Sequence, residues 1–315
     1  MMIETTGLRK SFKTRAGTVE AVRGVDLGVD KGEIFGFLGP NGAGKTTTLR
    51  MLATLIEPDG GNATIAGVNL RTRPGDVRRR IGYVAQGGST WDEVTAREEL
   101  VLQSRLYGVA KPEAQRQAAR AIEAFQLSDF ADRKCKTYSG GQRRRVDMAL
   151  GIIHQPQVVF LDEPTTGLDP QSRAHMWGEV RRLRDEGMTV FLTTHYLEEA
   201  DALCDRISIM DGGLIVAEGT AEELKQEISG DVVTLGLTAD VADKARTLLD
   251  VESYTRRSEM AEHGVRLFVD AGATSIPHML RSLDGVGIEP TSIELHRPSL
   301  DDVFLAKTGR SLRES

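Results

Sequence analysis

Apolar positions in the first third of the chain come in short runs, at residues 3–8, 19–22, 34–38, 62–66 and 81–84, with Gly and Pro between them. Runs of this length bounded by breakers predict strands. A longer stretch, 96–125, is rich in Ala, Glu, Gln, Arg and Leu and predicts helix, with Pro112 opening a second helix inside it. The pattern then alternates. Residues 158–161 are continuously apolar, as in a strand covered on both faces of a parallel sheet; 170–186 reads as helix, 189–194 as the next strand, and 206–210 with 214–218 as a hairpin turning at Asp211-Gly212-Gly213. Strand-helix-strand order with right-handed crossovers places a ligand site at the C-terminal ends of the strands.

Thr220-Ala221-Glu222-Glu223 has the form of a capping box for one more helix, ending near Ser229-Gly230. The pattern changes there. Strand-like runs at 232–237, 251–256, 265–269 and 291–296 enclose helical runs at 241–249 and 277–283, in the order βαββαβ. The expected organisation is an α/β domain over 1–229 and a small α+β domain over 230–315, with a ferredoxin-like split βαβ as the candidate arrangement.

Composition narrows the class. The 315 residues are 40% hydrophobic and 27% charged, enough for a sizeable core. Forty Lys and Arg against 46 Asp and Glu give a net charge of −6, which argues against nucleic acid as partner. No apolar run approaches a membrane span, and the first residues lack the regions of a signal peptide. A soluble chain is expected, so any membrane it serves must be crossed by a separate polypeptide. Cys135 and Cys204 are far apart and lack metal-ligand spacing, so reduced thiols are expected.

Four motifs carry the chemistry. Gly39-Pro40-Asn41-Gly42-Ala43-Gly44-Lys45-Thr46 follows one predicted strand and precedes a helical stretch beginning at Thr47. In that context glycines let backbone N–H groups converge on phosphates, Lys45 reaches the outer phosphates and the Thr46 hydroxyl binds Mg²⁺. Asp162 ends the buried strand and can hold Mg²⁺; Glu163 beside it can orient or deprotonate a water. His195 follows Thr193-Thr194 at the end of the neighbouring strand, within reach of the same place. A lone histidine is usually a satisfied core residue, but its position favours function. Ser139-Gly140-Gly141-Gln142 has a local explanation as a capping box, yet two glycines in a first helical turn cost about 1 kcal/mol each in an interior. They suit a close approach to a second anion, so this helix N-terminus is expected to serve the nucleotide of a partner subunit.

Weaker candidates are Gln86, whose amide can sense Mg²⁺ or water, Phe12, which can stack an adenine, and Gly167-Leu168-Asp169, a partner contact or an ordinary turn. Arg78–Arg80 and Arg143–Arg145 read as solvated or ion-paired faces, and Glu198, Glu199, Asp201 and Asp205 as an exposed helix face.

In order and spacing these residues resemble ATP-binding cassette nucleotide-binding subunits over about residues 1–227. The resemblance implies a P-loop ABC ATPase fold with antiparallel β and α-helical subdomains. It makes 39–46 the Walker A loop, with Thr47 a further nucleotide contact, Gln86 the Q-loop and Ser139–Gln142 the signature. Residues 158–162 become Walker B, with Glu163 the catalytic glutamate, 167–169 the D-loop and His195 the switch histidine. It assigns catalysis to Glu163, His195 and Gln86 and the metal to Thr46, Gln86 and Asp162. Phe12 stands where tyrosine is commoner, and Tyr138 stands where the signature usually has leucine. The remainder is similar to the C-terminal extension of daunorubicin-resistance-type exporter ATPases, through Arg143–Arg145 and the ending Leu300-Asp301-Asp302-Val303-Phe304-Leu305. The resemblance implies ATP and Mg²⁺ as cofactors, a homodimer sandwiching two Mg-ATP, a separate permease, and a place on the cytoplasmic face of the membrane. The alternatives are an importer ATPase, or a non-transport cassette acting on ribosome or DNA. Against the latter, only about 94 positions separate Lys45 from Ser139, too few for the long coiled coil of DNA-repair relatives.

Overall fold

A computed structural model describes residues 1–309 except Ala16, Ser229, Glu262 and His263. The chain forms two compact units, Met1–Glu218 and Gly219–Ser315. In chain order the first contains β1 (Ile3–Thr14), β2 (Gly17–Val29), β3 (Ile34–Leu38), α1 (Lys45–Leu52), β4 (Gly60–Ile65), β5 (Val68–Asn69), α2 (Pro74–Arg78), β6 (Ile81–Val84), α3 (Ala96–Leu106), α4 (Lys111–Ala124), α5 (Gly140–Ile152), β7 (Val158–Asp162), α6 (Pro170–Asp185), β8 (Thr189–Thr194), α7 (Leu197–Leu203), β9 (Arg206–Asp211) and β10 (Leu214–Gly219). Two sheets result, an antiparallel one ordered β2-β1-β4-β5 and a six-stranded one ordered β10-β9-β3-β8-β7-β6.

The pleat of the larger sheet divides the core. Along β7, Val159 and Leu161 join the apolar cluster that includes Leu100, Ile122, Val146 and Val180 of the helices, while Val158 and Phe160 join the opposite cluster with α1 and the antiparallel sheet. β8 divides likewise, Val190 and Leu192 to one side and Phe191 to the other. Burial on both faces explains why these strands read as unbroken apolar runs. Phe191 is fully buried among the rings of Phe35, Phe37 and Phe160, with centroids 5.4, 5.6 and 5.7 Å away.

The helical stretch 96–125 breaks where Pro112 predicts, with proline in the first turn of α4. The Thr95 side chain accepts from Glu98 N and Glu98 closes the reciprocal bond, so α3 starts on a capping box. The exposed helix face expected for Glu198, Glu199, Asp201 and Asp205 fails at Glu199, and Asp205, though exposed, lies past the end of α7. Glu199 is buried on α7, accepting from Thr165 Oγ1 and Trp177 Nε1 at 2.8 and 3.0 Å. Asp205 accepts from Ile34 N at 2.8 Å and so fastens the start of β3. Charge type alone cannot distinguish an acid facing water from one facing two buried donors.

The second unit holds α8 (Ala221–Ile228), β11 (Asp231–Gly236), α9 (Ala239–Asp250), β12 (Thr255–Ala261), β13 (Gly264–Val269), α10 (Gly272–Asp284), β14 (Ser292–His296) and α11 (Leu300–Thr308). Its sheet is ordered β12-β13-β11-β14 with every pair antiparallel, the split βαββαβ arrangement. Thr220 and Glu223 exchange the expected capping bonds, at 2.8 and 3.1 Å. The boundary expected at Ser229-Gly230 falls partly on Ser229, outside the described residues; α8 belongs with the C-terminal unit, where Lys307 of α11 pairs with its Glu227 at 2.8 Å. Two element limits also differ: β12 begins at Thr255 after a turn, and α10 begins at Gly272 with Pro277 inside it. Gly272 N donates to Asp231 Oδ2 at 2.7 Å, which starts this helix ahead of its proline.

Phe191→Ala removes the ring at the centre of the larger sheet. It should destabilise the first unit by about 3–5 kcal/mol. Urea unfolding followed by circular dichroism measures this as a lowered midpoint at unchanged slope.

Candidate functional site

Strand register creates the site. Leu38 pairs with Thr194, Thr193 with Asp162, and Leu161 with Val84, so β3, β8, β7 and β6 end at one level. The residues following those ends are Gly39, His195, Glu163 and, two positions past β6, Gln86.

Residues 39–46 pass from β3 to α1 through backbone that only glycine permits. Gly44 has φ +105°, and a Cβ there would lie 2.3 Å from the Ala21 carbonyl oxygen of β2. A Cβ on Gly39 would lie 2.2 Å from Met210 O. Lys45 is 4% exposed and donates to Gly39 O and Pro40 O at 2.7 and 3.0 Å, so its ammonium is folded over the loop. Burial pushes its pKa down, against the pull of Glu163 and Asp162, and Glu163 Oε1 stands 3.7 Å away.

Asp162 Oδ1 accepts from Thr46 Oγ1 at 2.9 Å and from Thr193 Oγ1 at 2.8 Å, and Thr193 Oγ1 also accepts from Glu163 N at 3.0 Å. Thr193 thus fixes both acids, a role legible beforehand only in its place two residues before His195. Glu163 has φ +46°, an uncommon conformation for a side-chain-bearing residue. Its Oε2 accepts from Gln86 Nε2 at 2.8 Å and Thr166 Oγ1 at 3.1 Å and stands 3.2 Å from His195 Nδ1. Burial raises the Glu163 pKa, but His195, Lys45 and Thr166 outweigh it and hold the carboxyl below its ordinary value. Lys45, Thr46, Gln86, Asp162, Glu163 and His195 are therefore one connected group.

Two sets of candidates lie outside that group. Phe12 is exposed on β1 opposite Val19, two strand positions from the Ala21 backbone that abuts Gly44. Ser139–Gln142 opens α5 as the predicted capping box: Ser139 Oγ accepts from Gln142 N at 3.2 Å and Gln142 Oε1 from Ser139 N at 3.0 Å. It borders a cleft with Gln171, Ser172 and His175. Among the described residues no hydrogen bond joins Ser139, Gly140 or Gly141 to the 39–46 loop. Tyr138, in place of the usual leucine, is buried with its hydroxyl 2.9 Å from Phe130 O and 3.0 Å from Arg133 O; burial pushes its pKa up to about 12.

The basic run after the signature corrects its sequence reading. Arg143 pairs with exposed Asp92 at 2.8 Å, and Arg145 donates to Gln126 O at 3.0 Å. Arg144 between them is buried, with three carbonyl acceptors. The missed signal is helical spacing, since Arg144 shares a face with Asp147, Met148 and Gly151.

A glycine-rich loop between a strand and a helix, with a lysine inside it and acids on the adjacent parallel strand, defines a P-loop ATPase. The family profile for ABC transporters matches residues 22–166, and that for the C-terminal domain of DrrA1-3-like ATP-binding proteins matches 219–308. The daunorubicin/doxorubicin resistance ATP-binding protein DrrA of Streptomyces peucetius is 45% identical, the alignment covering 98% of this chain and 92% of that one. The linearmycin resistance ATP-binding protein LnrL of Bacillus subtilis is 35% identical over 99% and 100% of the two chains. Among solved structures, the ATP-binding cassette MJ0796 as a dimer bound to ADP and Pi superposes with a TM-score of 0.64 at 26% identity, covering 70% of this chain and 98% of that one. The chain belongs to the ABC transporter family and is an ATP-binding, ATP-hydrolysing cassette.

The depressed Glu163 pKa fixes a pH dependence. Its ionised form contributes stability above the ordinary value of 4.5, and that contribution is lost as pH falls through the lower folded value. Thermal unfolding of wild type and Glu163→Gln from pH 7 to pH 3 (on the order of four units) should show the difference between them steady above that range and shifting against the wild type below it.

Proposed function

We propose that this chain is the energy-supplying subunit of an exporter, acting as a face-to-face pair of identical copies beneath a separate membrane permease. The observation that carries the reading is the division of anion-binding groups. Lys45 and its loop belong to one connected cluster, while Ser139–Gln142 opens onto another cleft. Each copy's signature then completes the partner's site, in a two-fold isologous pair. The dimeric MJ0796 cassette supports this pairing.

In each site the amides of 39–46, with Lys45 and Thr47, hold the phosphates, and Phe12 stacks the adenine. Thr46 and Asp162, with Gln86, hold Mg²⁺. The donors fit that ion: two hard oxygen groups 2.9 Å apart, and among the described residues no cluster of three or more His, Cys, Asp or Glu that would cage a metal fully. Magnesium takes few protein ligands and keeps waters and phosphate oxygens; when bound it neutralises charge on the outer phosphates. Glu163 accepts the proton of the attacking water, an effect worth about 10²–10⁴-fold. His195 and Gln86, both against Glu163 Oε2, hold that carboxylate in line. ATP binds the closed pair preferentially and so drives closure, and hydrolysis releases it.

Among the described residues no helix is long and apolar enough to cross a membrane. The permease contact is the groove lined by Tyr83, Trp91, Leu102 and Leu106, just past Gln86, where Trp91 and Leu106 are exposed. The pair is held there at the cytoplasmic face. The daunorubicin and linearmycin resistance names of the relatives support export of a drug or antibiotic; a lipid-like cargo is the further candidate, and the permease selects between them.

Glu163→Gln should keep ATP binding, lose at least about 10²-fold in turnover and accumulate dimer in size-exclusion chromatography with ATP. Wild-type turnover by this variant refutes the assignment. Ser139→Arg and Lys45→Ala should each be inactive alone. Mixed, they should regain part of the activity, because one site of the mixed pair is intact; mixed dimers without any activity would count against shared sites.

A further inference from the structure

Arg144 and Asp147 lie one turn apart on α5, 6% and 3% exposed. The Arg144 guanidinium donates Nε to Pro164 O at 2.7 Å, Nη2 to Asp162 O at 3.2 Å and Nη1 to Ala85 O at 2.5 Å. Asp162 and Pro164 are the residues on either side of Glu163, and Ala85 immediately precedes Gln86. Asp147 Oδ1 accepts from Ser89 N at 2.8 Å and Ser89 Oγ at 3.0 Å. One turn of α5 therefore grips the backbone at both ends of segment 85–89 and on both sides of Glu163.

We propose that Arg144, seconded by Asp147, is a positioning residue that couples engagement of one nucleotide site to catalysis at the other. The proposal rests on the reading above, in which the N-terminus of α5 meets the partner's nucleotide while Glu163 and Gln86 act on the chain's own. α5 begins only a few residues before Arg144, at the Ser139–Gln142 capping box. When that end is drawn onto the partner's phosphates, the rigid helix carries the guanidinium with it, and the three carbonyls move with the guanidinium. Slippage would leave a buried charge and buried carbonyls unpaired, so the linkage is stiff. An arginine suits the task because its planar fork reaches three carbonyls at once; a lysine is a point charge on a flexible stem. Asp147 and Asp162 supply the balancing negative potential. A misplacement of about 1 Å at a reacting group can cost about 10²-fold in rate, so an uncoupled Glu163 is a slow one even with ATP bound.

The test uses the full chain as Arg144→Gln, Arg144→Lys and Glu163→Gln. For Arg144→Gln, kcat should fall on the order of 10²-fold with little change in KM or in nucleotide binding, and Arg144→Lys should recover part of the loss. Hydrogen exchange is then compared with and without ATP in the Glu163→Gln background, which traps the pair. With native Arg144, ATP should protect both the start of α5 and segment 85–89. With Arg144→Gln added, the start of α5 should stay protected and 85–89 should not. If Glu163→Gln turns over like wild type, the site reading fails and the coupling with it. If Glu163→Gln behaves as read while Arg144→Gln keeps wild-type kcat and protection of 85–89, the coupling alone is overturned. Should the glutamine variant not fold, Arg144→Lys carries the same comparison: an intermediate rate with weakened protection supports the coupling, and wild-type values for both overturn it.

Discussion

The parallel pairing of β3, β8, β7 and β6 is the constraint on which the site depends. Each strand is short, and its last residue is opposite the last or next-to-last residue of its neighbour. A register slip in such a sheet would exchange the two apolar faces, which are committed to different cores. Packing below therefore determines the level at which the loops emerge above. The phosphate loop, the paired acids, the histidine and the glutamine meet because Val158–Leu161 and Val190–Leu192 cannot move lengthwise without exposing themselves.

Much of this was legible in the sequence because the determinants were local. A continuous apolar run bounded by polar residues marks a strand covered on both faces. Ser-x-x-Gln and Thr-x-x-Glu mark helix starts, and Pro112 marks a break. Phosphate-loop chemistry is written in consecutive residues, since one stretch of backbone does the work. The βαββαβ order of the C-terminal unit followed from alternation of short runs in the same way. What was not legible depended on contacts distant in sequence. Glu199 looks like its exposed neighbour Glu198 until Thr165 and Trp177 are brought to it. Arg144 looks like Arg143 and Arg145 until the ends of β6 and β7 supply three carbonyls. The place of α8 depends on a distant contact in the same way: the glycine at 230 is a strong local signal, but α8 associates with α11 across some 80 residues.

Apart from Glu99 and Glu179 on α3 and α6, the buried charges of the described residues gather where the strands end. Lys45, Asp162, Glu163, Arg144, Asp147 and Glu199 are all under a tenth exposed, while β7 and β8 beneath them are apolar between their ends. Buried ion pairs and networks are weak sources of stability, because desolvation opposes the attraction. Apolar residues of equal volume would pack these positions at least as well. The fold accepts the penalty where geometry matters more: Glu163 holds an αL backbone and a desolvated carboxylate, Lys45 a desolvated ammonium, and Arg144 a desolvated guanidinium.

That concentration has a dynamic corollary. The apolar sheet interior has the burial expected of the most stable cooperative unit, whereas the 85–89 segment and the 163–169 turn are held by hydrogen bonds to side chains of α5, Thr193, Gln86 and Glu199. Segments so held open at lower free energy than the core. They are also the segments that carry Gln86 and Glu163. Motion in this cassette should therefore be confined to elements fastened by polar contacts, with the sheet as the fixed frame, and the charged fastenings decide which of those elements move together.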